Sequence, residues 1–241
     1  MKKILVIQFR QGAEVEQEQN CFLAEMPEYK DQIIFVNVIE ESVPTDVSDV
    51  AGLIIAGSSQ YYLSKEETLG PWKEDVFALL DKVIEMDIPV LGACFGFQMI
   101  ALQQGAGIER NPETKQTGTL MVTRFETGKD DELMGYLPEE HAGLFAHQDT
   151  VIELPEHIIP LCRTERVECT SFRIFGKRVW GTLFHPELTG ERVIERLNLI
   201  PTEGGSGYRG EKSDEELLEI FSPTPEVATI LGRFADIALG E

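Results

Sequence analysis

Residues 88–102 read IPVLGACFGFQMIAL, and this stretch decides the class of fold. The apolar run Ile88–Ala93 has the size of a buried central strand, and the pattern of Phe95–Gln104 predicts a helix. Cys94 lies at the junction between them. A strand that passes directly into a helix is typical of proteins in which both alternate around a parallel sheet.

The same alternation of short apolar runs and longer amphipathic segments occupies the first half of the chain. In chain order, the further strand, helix, strand, strand and helix predicted there are Ile4–Ile7, Glu14–Met26, Ile33–Val38, Leu53–Ala56 and Pro71–Met86. We therefore expect an α/β fold with an open, mostly parallel, twisted sheet and helices on both faces.

After residue 108 the pattern changes to short strands with little helix between them. The predicted strands are Leu120–Arg124, Gly143–Ala146, Val151–Leu154, Ile158–Cys162, Cys169–Ile174 and Val179–Leu183. We expect them to form an antiparallel extension on the edge of the same sheet, followed by a helix at Thr189–Ile200.

Residues 201–225 are rich in Gly, Pro, Ser and Glu, which predicts an exposed, mobile insert. A short helix, Asp214–Phe221, is predicted inside it, and a final helix covers 226–239. No internal repeat or second domain is evident, so we expect a single domain over 1–241.

Composition excludes several classes of function. The formal net charge is −21, which argues against nucleic acids and anionic membranes as partners. The four cysteines form no CxxC pair, and no apolar stretch approaches the roughly 18 residues of a membrane span. The N-terminal MKKILVIQF fits a first strand better than a signal peptide. We expect a soluble, cytoplasmic protein with reduced thiols and no metal site.

The surroundings of Cys94 predict a nucleophile. Gly92 and Gly96 lie two residues before and after it, which is the pattern of a nucleophile elbow. At the N-terminus of the following helix the helix dipole favours the thiolate, and the N–H of Phe95 is free to bind an oxyanion. The alternative is a core cysteine in an ordinary turn, since free cysteines are commonly buried.

A second candidate element is the stretch WGTLFHPEL, residues 180–188. A cysteine nucleophile needs a base, and the base needs an orienting partner. His185 and Glu187 supply both types two residues apart, and in extended chain such residues point the same way. The alternative is a histidine at a strand end beside a solvated glutamate.

Together these motifs resemble those of class I, triad-type glutamine amidotransferases. GACFGFQ is similar to the G-x-C-x-G-x-Q signature of that family, and FHPE to its second signature. The resemblance covers about residues 2–200 and implies the family's flavodoxin-like fold. It implies Cys94 as nucleophile, His185 as general base and acid, Glu187 as the residue that orients His185, and Gln98 as a substrate-binding residue.

The turn after Leu53–Ala56 matches the family less closely. There the family has a Gly-Gly-Pro or Asn-Gly-Pro turn that supplies a second oxyanion N–H. In this chain Ser58 stands at the usual glycine and Ser59 at the proline. The resemblance implies an oxyanion hole made by Gly57, Ser58 and Phe95; the alternative is an ordinary Gly-Ser loop.

A further segment, Phe-Ala-His-Gln-Asp at 145–149, resembles the Ser-His-Gly-Asp stretch of GMP-synthase-type domains. In those domains it borders the glutamine pocket, mainly through backbone contacts. His147, Gln148 and Asp149 are therefore candidate substrate-binding residues, although Gln148 replaces the usual glycine. An equally open alternative for His147 is a histidine that anchors the loop.

The remaining histidines and cysteines belong to no motif. We expect His141 and His157 at the surface. Cys162 and Cys169 are expected to be inert core thiols, and Cys21 to lie on the buried face of a helix.

The resemblance implies hydrolysis of glutamine to glutamate and ammonia through a glutamyl thioester, with no cofactor. A synthetase would not fit in the chain, and no Gly-rich nucleotide loop is present. Ammonia would therefore pass to a separate synthetase, or the protein would act alone. Two alternatives stay open: a γ-glutamyl peptide or conjugate hydrolase with the same triad, and a catalytically silent regulatory protein of the same fold. A homo-oligomer is also open.

Overall fold

The structure is a computed structural model that describes residues 2–200, 209–210 and 212–240. The insert predicted at 201–225 therefore lies partly outside the described residues. Its short predicted helix is present as Asp214–Ile220, with Ser213 as the N-cap in a capping box with Glu216.

The first half of the chain alternates strands and helices as predicted. Its elements are β1 (Lys3–Gln8), α1 (Glu14–Glu25), β2 (Ile33–Asn37), β3 (Val50–Ile55), α2 (Trp72–Glu85), β4 (Val90–Ala93) and α3 (Phe95–Gln103). Short 3₁₀ helices at Pro27–Gln32 and Glu66–Thr68 lie in the connections. Helix α2 buries one apolar stripe that includes Val76, Leu80 and Val83.

The second half supplies seven strands and four helices among the described residues. The strands are β5 (Gly107–Arg110), β6 (Gln116–Arg124), β7 (Glu140–His147), β8 (Asp149–Ile152), β9 (Ile158–Arg163), β10 (Ser171–Ile174) and β11 (Val179–Thr182). A 3₁₀ helix, Glu126–Gly128, follows β6. The helices are α4 (Gly190–Leu199), α5 (Asp214–Ile220), α6 (Pro225–Ala228) and α7 (Ile230–Leu239).

Within the described part of the chain, nine strands form one sheet in the order β2-β1-β3-β4-β11-β10-β9-β6-β7. The pairs from β2 to β11 are parallel, and those from β11 to β7 are antiparallel. The predicted fold, a mostly parallel sheet with an antiparallel extension, is confirmed.

Two local predictions were wrong. The strand predicted at Val151–Leu154 is β8, which pairs with the unpredicted β5 in a separate two-stranded sheet. Only Gln148 separates β8 from β7, and the chain turns out of the main sheet there. The helix predicted at 226–239 is interrupted at Thr229, which lies between α6 and α7. At this junction the Thr229 hydroxyl donates to the carbonyl of Glu226 (2.8 Å).

The carboxyl ends of the parallel strands bring the candidate residues together. Strand β4 ends at Ala93 and its parallel neighbour β11 ends at Thr182, in register. Cys94 follows the first strand and His185 lies three residues beyond the second. Ligand sites in open α/β sheets lie at this edge. No helix in the described part of the chain is long and apolar enough to cross a membrane.

Candidate active site

Cys94 occupies a strained turn between β4 and α3. Its backbone has φ 51° and ψ −97°, a conformation that non-glycine residues rarely adopt. Its N–H donates to the carbonyl of Thr182 over 2.7 Å, which ties the turn to β11. The turn also needs its glycines, because a Cβ on Gly92 would lie 2.5 Å from the backbone of Gly96.

His185 and Glu187 form a buried pair beside this turn. Nδ1 of His185 lies 2.8 Å from Oε1 of Glu187, and the two residues are 4% and 0% exposed. A carboxylate can only accept, so Nδ1–H is the donor and Nε2 is left to face other groups. The N–H of His185 donates to the carbonyl of Leu144 (2.9 Å), which fixes the backbone against β7.

The charges of this pair shift both pKa values. Burial by itself would lower the pKa of His185, but the charge of Glu187, and then that of Cys94 with its hydrogen bond to the ring, raise it to about 10. Burial by itself would raise the pKa of Glu187, but His185 and, more weakly, Arg196 lower it to about 2. The arrangement favours a protonated imidazole ring beside the ionised carboxylate of Glu187.

Cys94 and His185 both approach Gly57, in the turn after β3. A Cβ placed on Gly57 would lie 3.2 Å from Cε1 of His185 and 3.8 Å from Cβ of Cys94. Within the described chain no hydrogen bond is made by the backbone N–H of Ser58 or of Phe95. Both residues line the cleft above Cys94, so these two N–H groups are available to bind an oxyanion.

A cleft of about 700 Å³, open to solvent, contains most of the predicted site residues. Of these, it is lined by Ser58, Cys94, Phe95, Gln98, His147, Gln148, Asp149 and His185. Gly57 and Glu187 do not line the cleft and are buried behind Cys94 and His185. The structure thus brings together residues from four separate parts of the sequence.

The candidate substrate-binding residues bond to one another. Nε2 of Gln98 donates to the carbonyl of Asp149 (2.9 Å). The carboxylate of Asp149 accepts bonds from the N–H and hydroxyl of Ser64 (3.0 and 2.7 Å) and from Nε of Arg110 (2.9 Å). Nε2 of Gln148 lies 3.3 Å from the Tyr62 hydroxyl. The side chains of Gln98 and Asp149 therefore hold the cleft wall together.

His147 is a buried member of the same wall. Its Nδ1 lies 3.0 Å from the carbonyl of Asp149 and its Nε2 lies 3.2 Å from Oε1 of Gln116. Burial lowers its pKa to about 4 despite these contacts, so the ring is neutral near pH 7. A neutral ring has a single N–H to donate, and its Nδ1–H bond to the carbonyl of Asp149 fits the alternative of a loop-anchoring histidine.

Among the remaining residues, the prediction for His141 was wrong. It is 3% exposed, because it lies in β7 with its ring against Phe184 and Nδ1 3.0 Å from the carbonyl of Pro138. His157 is exposed as expected.

The other three cysteines are buried, as predicted. Burial raises the pKa of Cys21 to about 11 and that of Cys162 to about 12. It also raises the pKa of Cys169. Thiols with raised pKa values are poor nucleophiles at neutral pH.

Four charged residues near the site were not predicted. Arg10, Glu14 and Glu18 form a buried ion cluster, with Arg10 on the cleft wall. Arg196 lies 3.8 Å from Glu187. Charged residues are almost never fully buried unless paired, so a sequence pattern alone would place them at the surface.

In the described ranges no group of three or more His, Cys, Asp or Glu could hold a metal ion.

Two features define the class of protein. A cysteine elbow follows β4, and a His–Glu pair follows β11, the parallel neighbour of β4. The family model described as glutamine amidotransferase class-I matches residues 34–196, and the chain belongs to this family. The curated relatives of the chain include GMP synthases. The GMP synthase [glutamine-hydrolyzing] of Porphyromonas gingivalis is 31% identical over 147 residues, which are 61% of this chain and 26% of the relative.

Solved structures agree on the fold. A glutamine amidotransferase from Thermotoga maritima superposes with a TM-score of 0.78 at 18% identity, over 100% of this chain and 99% of the other. The structure of a putative GMP synthase subunit from Thermoplasma acidophilum gives 0.64 at 17% identity, over 98% and 96%. The chain spans about a quarter of the length of the curated relative above. It is thus a class-I glutamine amidotransferase with sequence similarity to GMP synthases.

Proposed function

We propose that this chain hydrolyses the side-chain amide of glutamine with Cys94, His185 and Glu187 as its catalytic triad. The observation that carries the proposal is the position of His185. Its Nδ1 is bonded to a buried carboxylate, while the ring and Cys94 line the same cleft and both approach Gly57. This is the relation between orienter, base and nucleophile that covalent acyl transfer requires.

The proposed reaction has two halves. The Cys94 thiolate attacks the carboxamide carbon, and the N–H groups of Ser58 and Phe95 bind the oxyanion that forms. His185 gives its Nε2 proton to the leaving nitrogen, the C–N bond breaks, and ammonia departs. His185 then takes a proton from water, whose oxygen attacks the glutamyl thioester. The C–S bond breaks, glutamate leaves, and Cys94 is restored.

The direct test is ammonia release from glutamine, followed with purified protein. Cys94→Ala should abolish it, whereas Cys162→Ala, which removes a buried thiol elsewhere, should retain it. Ammonia release by Cys94→Ala at the wild-type rate would refute the assignment. Because a partner could be needed for full activity, the assay should be repeated with candidate synthetases.

We further propose that the ammonia passes to a separate synthetase. The support is the Thermoplasma neighbour, which is a putative subunit of a GMP synthase. Co-purification from the native host tests this proposal. Recovery of a synthetase that uses the released ammonia would support it, and glutamine hydrolysis with no synthetase bound would count against it.

A second candidate is hydrolysis of γ-glutamyl conjugates by the same three residues. The cleft wall contributed by residues 188–200 is mostly apolar, with Leu188, Val193, Leu197 and Ile200 beside Arg196. This wall comes shortly after His185 in the chain and lines the same cleft. Because His185 would protonate the leaving amine, the wall suits an amine with an apolar substituent. The comparison of kcat/KM for glutamine with that for γ-glutamyl alkylamides decides between the two.

A further inference from the structure

The buried cluster Arg10–Glu14–Glu18 has no role in the reaction as proposed. These side chains are 1%, 3% and 0% exposed. Buried ion pairs contribute little net stability, since the cost of desolvation offsets the attraction between the charges. The cluster therefore calls for an explanation other than stability, and its location beside the cleft suggests one.

The cluster is a chain of hydrogen bonds that leads toward the oxyanion turn. Glu18 accepts a bond from Nε of Arg10 (2.8 Å) through one oxygen and from Nε2 of Gln8 (2.9 Å) through the other. Arg10 in turn lies 3.3 Å from Oε2 of Glu14 through its NH1 group. Each of these charged groups is thereby fixed by the next, starting from the end of β1.

Glu14 then holds the residues that follow Gly57 and Ser58. The hydroxyl of Ser59 donates to Oε2 of Glu14 (2.6 Å), and Nε2 of Gln60 donates to Oε1 (3.1 Å). Both carboxylate oxygens are therefore bonded to this turn. Charge-assisted bonds of this kind are about twice as strong as neutral ones.

The turn needs an outside support of this kind. Residues 56–60 read AGSSQ and contain no proline, so their backbone is not restrained by a ring. The Ser58 hydroxyl accepts from the N–H groups of Gln60 and Tyr61 (3.3 and 3.0 Å), which shapes the turn locally. Those bonds lie within the turn. Outside it the Ser58 hydroxyl makes a longer bond to the carbonyl of Phe9 (3.5 Å), so the shorter external bonds are those to Glu14.

We propose that Glu14, clamped by Arg10, is a positioning residue that holds the oxyanion turn in place for catalysis. The proposal rests on the proposed glutaminase function. An oxyanion donor acts mainly in the transition state, so a displaced turn lowers kcat and leaves KM nearly unchanged.

The test compares Ser59→Ala and Glu14→Gln with matched controls outside the cluster. Ser222→Ala removes a hydroxyl at the end of α5, and Glu25→Gln removes a carboxylate paired with Arg192 at the end of α1. At a temperature where all variants are folded, we expect each cluster variant to lose about 10-fold or more in kcat with KM within about twofold. The controls should keep the wild-type kcat.

Two further measurements separate positioning from a general loss of structure. In the double variant the losses should not add, because both substitutions break the same link. Amide hydrogen exchange in residues 57–61 should become faster in both single variants and stay unchanged in the controls.

Wild-type kcat in Ser59→Ala and Glu14→Gln would overturn the inference and leave the glutaminase function standing. A rise in KM alone would also overturn it. If the wild-type chain itself releases no ammonia from glutamine, with or without a synthetase, the proposed function and this inference both fail.

Discussion

Nδ1 of His185 donates to the carboxylate of Glu187 over 2.8 Å, in a site where both side chains are almost completely buried. The bond leaves Nε2 of the ring for Cys94 and selects one tautomer. The other oxygen of Glu187, Oε2, has no hydrogen-bond partner among the described residues. The carboxylate of Glu187 therefore bonds to His185, and Arg196 is a more distant counter-charge.

From this relationship we predict that Glu187→Gln lowers kcat for glutamine by about 10²- to 10⁴-fold. The amide keeps the size of the side chain, but its NH₂ group can face Nδ1 and favour the wrong tautomer, and it no longer stabilises the imidazolium. Steady-state ammonia release measures the effect. Glu195→Gln, which changes an exposed glutamate of α4, is the control. Equal activity of the two variants would show that Glu187 does not orient the base.

The close approach of α3 to β3 predicts a loss of stability. A Cβ on Gly96 would lie 2.0 Å from the carbonyl oxygen of Ile55, a backbone atom that cannot move aside cheaply. We expect Gly96→Ala to lower the free energy of unfolding by about 3 kcal/mol or more. Denaturant unfolding measures it.

The matched control is Gly232→Ala in α7, where an added Cβ meets nothing within 4 Å. In a helix interior, alanine should raise the free energy of unfolding by about 0.5–1 kcal/mol. Similar stabilities for the two variants would contradict the described packing at the elbow.

The buried neutral ring of His147 predicts a stability that depends on pH. Its pKa is about 4 in the folded chain, against an ordinary value of 6.5. The unfolded chain therefore binds the proton more readily. Stability is complete above pH 6.5 and is lost as the pH falls from 6.5 to 4, by at most about 3 kcal/mol for this group.

Urea unfolding at several pH values between 7.5 and 4.5 tests this dependence. His147→Gln should reduce the loss of stability on the acid side. His157→Gln, which changes an exposed histidine, should keep the wild-type slope. An unchanged slope in His147→Gln would mean that His147 is not the group responsible.

The sequence was most informative where local pattern and tertiary structure agree. The parallel half was predictable because strand and helix periods differ and alternate regularly there. Strand β5 was missed because Gly107–Arg110 is short, half-buried and polar at its end. Helix 226–239 was predicted as continuous because Thr229 gives no strong signal in sequence for a break.

Sequence motifs were enough to select Cys94 and His185 as candidates, and the structure brings these two residues to the same cleft. The site was not predictable where the burial of polar and charged side chains determines which residues lie beside it. His141 was expected at the surface and is buried, and Arg10 and Glu14 reach the cleft only because β1 and α1 meet beside it. Charged side chains in a sequence are expected in solvent, so their pairing becomes visible only in three dimensions.

The central claim is that Cys94 carries the glutamyl group during turnover. The most direct measurement is mass spectrometry of the protein quenched in acid while it hydrolyses glutamine. We predict one added glutamyl group on the peptide that contains Cys94, absent from Cys94→Ala, which should also release no ammonia. Ammonia release by Cys94→Ala, or a glutamyl group on a different residue, would contradict the account.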